Sequence, residues 1–232
     1  MIPKVIHYCW FGKGPKNAVI QSCITSWKRL LPDYKIIEWN EENYPITPEN
    51  AFAARMYAEK KWAFVSDYAR LDILAREGGI YLDTDMYLVK SLNDFLSNAC
   101  FLGMEDGTHV SAGIIGAEAG HPYILAAKKI YDENPGAIVP IPKMLTRVHA
   151  ERPELGIKLY PPELFYPFTA ATIGMFDPMR PPRDAYAIHM WNYAWGSPMN
   201  KFFKKIGIHR AGVRILDALG LKNMFKKILR MP

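Results

Sequence analysis

The chain holds only three cysteines, Cys9, Cys23 and Cys100. They are widely spaced and lack metal-ligand spacing, so neither a zinc site nor a disulfide framework is expected, and a reducing compartment is. No apolar run approaches the roughly 18 residues that a membrane-spanning helix needs. The opening Met-Ile-Pro-Lys-Val-Ile-His shows no basic stretch followed by an apolar one, so no secretory leader is read there. A cytoplasmic protein that does not span a membrane is the expectation. Internal repeats are absent as well. Excess positive charge is missing from most of the chain, although the net charge is +6. Residues 201–232 carry six lysines and three arginines against one acid, Asp217, so the rest is slightly acidic. That distribution argues against a nucleic-acid-binding domain, whose basic stripe belongs to the folded face.

What is present is apolar material for one substantial core: half of the 232 residues are apolar. Residues 1–200 therefore read as a single folded domain and 201–232 as a basic tail. Val5 to Trp10 reads as a buried strand, Asn17 to Leu31 as a helix closed by Pro32, and Tyr34 to Trp39 as a second strand. Residues 50–60 and Trp62 to Glu77 have helical composition. Cys100 to Gly103 and Val110 to Ala117 read as strands, and His121 to Glu133 as a helix. From Pro135 to Pro182 the chain is dense in proline, which predicts a loop-rich half with one helix near Lys143 to Glu151. Tyr186 to His189 reads as a last strand that returns a histidine and the aromatics Trp191, Tyr193 and Trp195 to the site. The alternation predicts an α/β fold on a central, mostly parallel sheet.

Ile80 to Leu88 reads Ile-Tyr-Leu-Asp-Thr-Asp-Met-Tyr-Leu, an apolar run with two carboxylates two positions apart. Side chains two apart on extended backbone point the same way, so Asp83 and Asp85 can converge at a strand end on one divalent cation. The bare Asp-x-Asp pattern is expected about once by chance in such a chain. Its context is more specific: a helix, a Gly78-Gly79 stop and an apolar strand lead into it, and ligands of α/β sheets gather at the carboxyl ends of strands. In the preceding helix, Ala63, Asp67, Arg70, Leu71 and Leu74 fall on one stripe. An Asp-Arg pair on such a stripe is either an ion pair at the core edge or a grip on ribose and phosphates.

The blocks Trp62-Ala-Phe-Val-Ser-Asp-Tyr-Ala-Arg-Leu, Glu77-Gly-Gly-Ile-Tyr-Leu-Asp-Thr-Asp, the opening Ile2 to Gly12 and Ala187-Ile-His-Met-Trp together resemble the DXD sugar-binding glycosyltransferases. That family includes fungal α-1,6-mannosyltransferases and bacterial capsular polysaccharide enzymes, and is related to the glucosylating domains of large clostridial toxins. The resemblance spans roughly residues 1–196. It implies a GT-A fold, a nucleotide-sugar donor with UDP-sugar ahead of GDP-sugar, Mn²⁺ or Mg²⁺, and hexose transfer with retention, in cell-surface polysaccharide synthesis.

Carried over by position, the resemblance makes Trp10 the aromatic that stacks on the base, and Asp67 and Arg70 the holders of donor sugar and phosphates. Tyr81 becomes an aromatic donor contact. Asp83 meets the ribose and a metal-bound water, Asp85 ligates the metal, His189 is a further metal candidate, and Trp195 covers the donor. The family commonly has Ser-Trp after the histidine block, whereas this chain has Ala194-Trp195, so a hydroxyl near the leaving phosphate is missing. Without the resemblance, Trp10 reads as a core aromatic and His189 as a core histidine. His7 shares a sheet face with Val5 and Cys9 and reads as structural.

By position alone, Glu105, Asp106 and Ser111-Ala112-Gly113 line the acceptor side. In the tail, Leu221, Met224, Phe225, Ile228 and Leu229 form one helical stripe, with Lys222, Lys226, Lys227 and Arg230 elsewhere around the helix. Such a helix lies on an anionic membrane, where a lipid-linked saccharide is a natural acceptor, or docks on the domain. Two other functions fit parts of the pattern. A phosphatase of the haloacid-dehalogenase type would use Asp83 as nucleophile, but that motif normally continues to Thr or Val where this chain has Tyr87. A non-catalytic module would use the tail to attach to membrane or acidic polymer.

Overall fold

A computed structural model describes residues 1–192 of the chain. Met1–Met190 forms one compact unit; a second begins at Trp191, of which Trp191 and Asn192 are described. The expected boundary at residue 200 and the basic tail lie outside the described residues. In chain order the elements are β1 (Val5–Cys9), α1 (Ala18–Leu30), β2 (Lys35–Trp39), α2 (Ala51–Ala58), α3 (Trp62–Glu77), β3 (Gly79–Leu82) and β4 (Met86–Leu88). They continue with β5 (Cys100–Met104), β6 (Val110–Ala117), α4 (Pro122–Glu133), α5 (Ile141–Glu151), β7 (Lys158–Tyr160), α6 (Pro162–Phe165) and β8 (Ala187–His189).

Six strands form a sheet in the order β2-β1-β3-β6-β5-β7, and β4 pairs with β8 in a separate ribbon. β1 runs parallel to β2 and β3, and β5 to β7; β6 runs against both its neighbours. The mostly parallel α/β sheet predicted from the alternation is therefore present. Its strands read as apolar runs because both faces are covered. Ile6, Tyr8, Ile80, Leu82 and Ile114 face Cys23 and Trp27 of α1. Cys9, Tyr81, Leu102 and Ile115 face the layer built from Leu71 and Leu74 of α3, Tyr123 of α4 and Leu145 of α5.

Local chemistry explains the element ends. The Asn17 side chain accepts from the Ile20 N–H and caps α1, while Lys28 and Arg29 sit in its last turn, where a positive charge suits the helix dipole. α3 departs from the expected stripe: Val65 to Leu71 are buried without interruption, whereas Ala63 is exposed. The middle of the helix is enclosed by its neighbours, which carries Asp67 and Arg70 into the interior. The proline-dense half also holds more order than predicted, since β7 and the short α6 follow α5.

The most consequential correction concerns the aspartates. β3 ends at Leu82, so Asp83, Thr84 and Asp85 form a turn between the large sheet and the ribbon instead of lying on one extended strand. The two carboxylates are aimed by that turn, with the Met86 N–H closing onto the Asp83 carbonyl at 3.0 Å.

The turn into β3 depends on two glycines. Gly78 (φ 63°) ends α3 and Gly79 (φ 102°) lies so close to β1 that a Cβ would stand 2.8 Å from His7 Nε2 and 2.9 Å from the Val5 carbonyl. His7 ties this corner: Trp39 Nε1 donates to its Nδ1 at 3.1 Å, which leaves Nε2–H to donate to the Gly78 carbonyl at 2.9 Å. Burial lowers its pKa to about 4. Because the folded value lies below the unfolded one, the stabilisation is complete above pH 6.5 and is lost as pH falls toward 4. The loss amounts to about 2 kcal/mol by pH 5 and about 3 kcal/mol by pH 4. Urea unfolding as a function of pH should show this slope in the wild type and lack it in His7→Gln, which starts from a lower stability at neutral pH.

Candidate active site

The Asp83–Asp85 turn is fixed by four backbone attachments. The Asp83 N–H donates to the Gly113 carbonyl on β6 at 2.8 Å, and the Met190 N–H donates to the Asp85 carbonyl at 2.9 Å. From α1, Trp27 Nε1 donates to the Met86 carbonyl at 2.6 Å, and the Leu88 N–H donates to Ser26 Oγ at 2.9 Å. The turn is thus held from the large sheet, the ribbon and the first helix at once. Nothing in the sequence marks Ser26 and Trp27 for this task, because a buried Ser and Trp in an amphipathic helix look like ordinary core positions.

Arg70 is the hub behind the turn, with its side chain 5% exposed. Its Nη1 meets Asp83 Oδ1 at 3.1 Å and donates to the Ala112 carbonyl at 2.7 Å; Nη2 donates to Asp67 Oδ1 at 3.0 Å; Nε donates to the Ser66 carbonyl at 3.2 Å. The Tyr81 ring lies 4.5 Å from the guanidinium carbon, and the Tyr81 hydroxyl donates to Asp83 Oδ1 at 3.1 Å. Burial disfavours the guanidinium charge, but Asp83, Tyr81 and Asp67 outweigh it and hold Arg70 above its ordinary value. Burial pushes the Asp67 carboxyl up to about 7 against the pull of Arg70, with Asp83 adding to the rise. Arg70 and Tyr81 were expected at the donor itself. Here their polar atoms are spent on protein partners, so what they present to a ligand is the charge of Arg70 and a fixed Asp83.

Asp85 points toward the ribbon. Met86 of β4 is the register partner of His189 on β8, and His189 Nε2 stands 3.3 Å from Asp85 Oδ1. Burial works against a charged His189 ring, but the carboxylates of Asp85, Asp83 and Glu105 overcome it and raise its pKa. Two ligands on one ion at about 2.1 Å and at right angles stand about 3 Å apart, so this carboxylate and imidazole fit a shared Mn²⁺ or Mg²⁺. Among the described residues no group of three or more His, Cys, Asp or Glu is arranged to hold an ion. An ion here would complete its shell from water and substrate oxygens, as small hard cations commonly do.

Trp10 follows β1, at the same carboxyl edge of the parallel strands as the aspartate turn. It is 7% exposed, its Nε1 donates to the Gly14 carbonyl at 2.7 Å, and the Lys16 ammonium lies 5.4 Å from its ring centroid. A base stacking on the face that Lys16 covers would have to displace that ammonium. Asp106, expected on the acceptor side, instead accepts from the Thr108 and His109 N–H groups and staples the β5–β6 loop. Glu105 does act on the site, through its charge on His189. Trp195 lies outside the described residues. One residue absent from the sequence reading joins the site: Tyr166, just after α6, whose ring centroid is 5.6 Å from that of His189. A four-residue helix in a proline-rich stretch has no periodicity by which to find it.

Residues 18–102 match the family described as a glycosyltransferase sugar-binding region containing a DXD motif. The match covers just over a third of the chain. It contains Asp67, Arg70, Tyr81, Asp83 and Asp85; Trp10 and His189 fall outside it. Among curated relatives, the chain is 29% identical over 130 residues to inositol phosphoceramide mannosyltransferase 3 of Schizosaccharomyces pombe, covering 53% of this chain and 35% of that protein. It is 30% identical over 148 residues to lactosylceramide 4-alpha-galactosyltransferase of Homo sapiens, covering 55% and 41%. The chain thus spans less than half the length of these two relatives. Its fold resembles the solved PaToxG glycosyltransferase with a TM-score of 0.56 at 21% identity, over 66% of this chain and 70% of that one. The fold is GT-A.

In the matched segment, the role of Arg70 is open to a direct test. A lysine offers one point charge and cannot serve Ser66, Ala112, Asp67 and Asp83 together. Arg70→Lys should therefore cost about 3 kcal/mol in urea unfolding of the ligand-free protein, by leaving buried acceptors and a carboxylate unpaired. Unchanged stability with lost nucleotide binding would instead make Arg70 a direct phosphate grip.

Proposed function

We propose that the chain is a metal-dependent, retaining glycosyltransferase that moves a hexose from a nucleotide sugar, a UDP-sugar by preference, to a hydroxyl of a saccharide or lipid-linked saccharide. The observation that carries this reading is the pinned Asp83–Asp85 turn at the carboxyl end of β3, with Asp85 facing His189 and Asp83 locked by Arg70 and Tyr81. Breaking the bond between the anomeric carbon and phosphate leaves a growing negative charge on the nucleoside diphosphate. A divalent ion held by Asp85 and His189 would supply Lewis-acid charge to that leaving group.

The chain's own residues do the remaining work. The Asp83–Asp85 turn orients the donor, and Arg70 adds a fixed positive charge beneath it. A covalent sugar-enzyme intermediate would need a carboxylate poised at the anomeric carbon; Asp83 Oδ1 is instead engaged by both Arg70 and Tyr81. This supports front-face attack: the acceptor oxygen bonds to the anomeric carbon on the side from which the phosphate departs, and the departing phosphate oxygen takes the acceptor's proton. Water must be kept out or the donor is hydrolysed, a task we assign to Trp195.

The S. pombe and human relatives are named for ceramide-based acceptors. We extend that chemistry here to a lipid-linked acceptor, met at the cytoplasmic face of a membrane by the basic, amphipathic residues 201–232 and used in building cell-surface glycans. No described helix is long and apolar enough to cross a membrane.

Calorimetric titration of UDP, GDP and their sugars, with and without Mn²⁺, checks the donor half. One nucleotide should bind in a metal-dependent way, and Asp85→Asn should weaken it at least about tenfold, or 1.4 kcal/mol. Absence of binding by every nucleotide would favour the phosphatase or the non-catalytic module. For the acceptor half, removal of residues 201–232 should abolish sedimentation with anionic vesicles at low salt; retained binding would refute the membrane role.

A further inference from the structure

Large apolar side chains meet solvent at few places among the described residues: Met1, Leu125, Ile138, Met175 and Met179. Single exposed apolar residues are ordinary on a protein surface. Met175 and Met179 differ, because they stand on one segment, between Tyr166 and Ala185, and are 76% and 87% exposed. Both ends of this segment are buried, and the Tyr186 N–H donates to the Leu164 carbonyl at 2.8 Å to close its neck. Inside it, the Phe176 ring packs on Phe168 and on Tyr87 of β4, with centroids at 5.9 and 5.6 Å. The fold thus anchors Phe176 and leaves the two methionines outside.

The backbone at the tip is already satisfied. The Ile173, Met175 and Phe176 N–H groups donate to the carbonyls of Thr169, Thr172 and Ile173. The Met179 N–H donates to the Asp177 carboxylate at 2.9 Å and the Arg180 N–H to the Asp177 carbonyl at 3.0 Å. Pro178, Pro181 and Pro182 have no N–H to satisfy. A tip built this way can leave water without stranding these donors, which is the main cost of taking irregular backbone into lipid. Methionine, unbranched and flexible, suits contact with a surface that has no fixed shape.

Charge points to the same kind of surface. Arg180 and Arg183 are exposed, and neither guanidinium has an ion-pair partner among the described residues. The Arg183 carbonyl accepts from the Lys90 ammonium, which brings a third positive charge to the segment. Of the two acids there, Asp177 is turned back onto the Met179 N–H, and Asp184 is exposed. Exposed methionines beside unpaired guanidinium groups match an anionic lipid surface, whose apolar layer lies just beneath its phosphates.

We propose that residues 167–184 form a membrane-contacting loop, in which Met175 and Met179 enter an anionic lipid surface and Arg180 and Arg183 meet its phosphates. The inference rests on the reading of a lipid-linked acceptor and deepens it, by giving the unit that holds the site its own contact with lipid, apart from residues 201–232. The segment starts after Tyr166, which packs on His189, returns through β8, which carries His189, and rests on Tyr87, which follows Asp85 closely. Docking through this loop holds the Asp85–His189 site close to the lipid that carries the acceptor.

The test uses the full chain and an environment-sensitive fluorophore. Cys9, Cys23 and Cys100 are all buried, so nitrobenzoxadiazole attached to Met175→Cys, Met179→Cys or the control Lys129→Cys labels one site at a time. Lys129 is 70% exposed on α4, which covers the opposite face of the large sheet. With vesicles of phosphatidylserine and phosphatidylcholine, emission at positions 175 and 179 should shift to the blue and be quenched by lipid-borne spin labels, while position 129 stays unchanged. The unlabelled double variant Met175→Ser/Met179→Ser should melt within about 2 °C of the wild type, bind nucleotide as the wild type does, and partition onto the vesicles about fivefold more weakly. No blue shift at 175 and 179 overturns the proposal. So does a shift that grows with protein concentration in the absence of vesicles, which marks contact with a second copy. Nucleotide binding without the vesicle-dependent shift leaves the transferase reading standing and sinks the loop; the shift without any nucleotide binding does the reverse.

Discussion

Everything at the carboxyl edge of this sheet depends on one buried cation. Arg70 is enclosed by α3, β3 and β6, and its charge is tolerable there because Asp67, Asp83, two backbone carbonyls and the Tyr81 ring surround it. A buried ion pair of this kind is weak evidence for stability, since apolar residues often fill such a place as well. Its value here lies in position. The guanidinium spans from α3 to the Asp83–Asp85 turn and to β6 at Ala112, so that one carboxylate of the pair is locked while the other stays directed at His189.

The division of labour between the two aspartates follows from this. Asp83 continues from β3 and is gripped from behind by Arg70 and Tyr81, whereas Asp85 leads into β4 and meets the ribbon that carries His189. A straight strand would have given both carboxylates the same surroundings. The turn gives them different ones, because the polypeptide leaves the large sheet between them. Trp27 and Ser26 bond to β4 from α1, so the first helix of the chain helps to set the direction of a carboxylate more than fifty residues later.

The parts legible in the sequence are those with a strong local signal. α3 was bounded correctly at both ends because Gly78-Gly79 stops a sixteen-residue helix, and the buried strands showed as apolar runs. The identity of the site residues could be read from the Asp-x-Asp block and the Asp67/Arg70 spacing. Their mode of action could not. Periodicity placed Asp67 and Arg70 on one stripe with apolar residues, but α3 is buried without interruption from Val65 to Leu71, a tertiary fact that no window of α3 records. The strand break at Leu82 was hidden for a similar reason. Thr84 has good strand propensity, and only the antiparallel pairing of β4 with β8, a hundred residues away, pulls the chain out of the sheet. Tyr166 was invisible because its significance comes from Gly103 and Gly113, which make room for it from two other strands.

Charge balance links these features. Asp67 and Asp83 flank the buried Arg70 guanidinium, while Asp85, Asp83 and Glu105 act on the His189 ring and raise its pKa. Such an excess of negative charge is unfavourable unless something answers it. Protonation answers it in part: Asp67, with its pKa pushed up to about 7, carries a share of the proton near neutrality. Asp85 and His189 offer an oxygen and a nitrogen to a divalent ion, which would relieve the remainder and attract a diphosphate in turn. The fixed positive charge of Arg70 and the carboxylates of Asp83 and Asp85 thus lie side by side along one edge of the sheet.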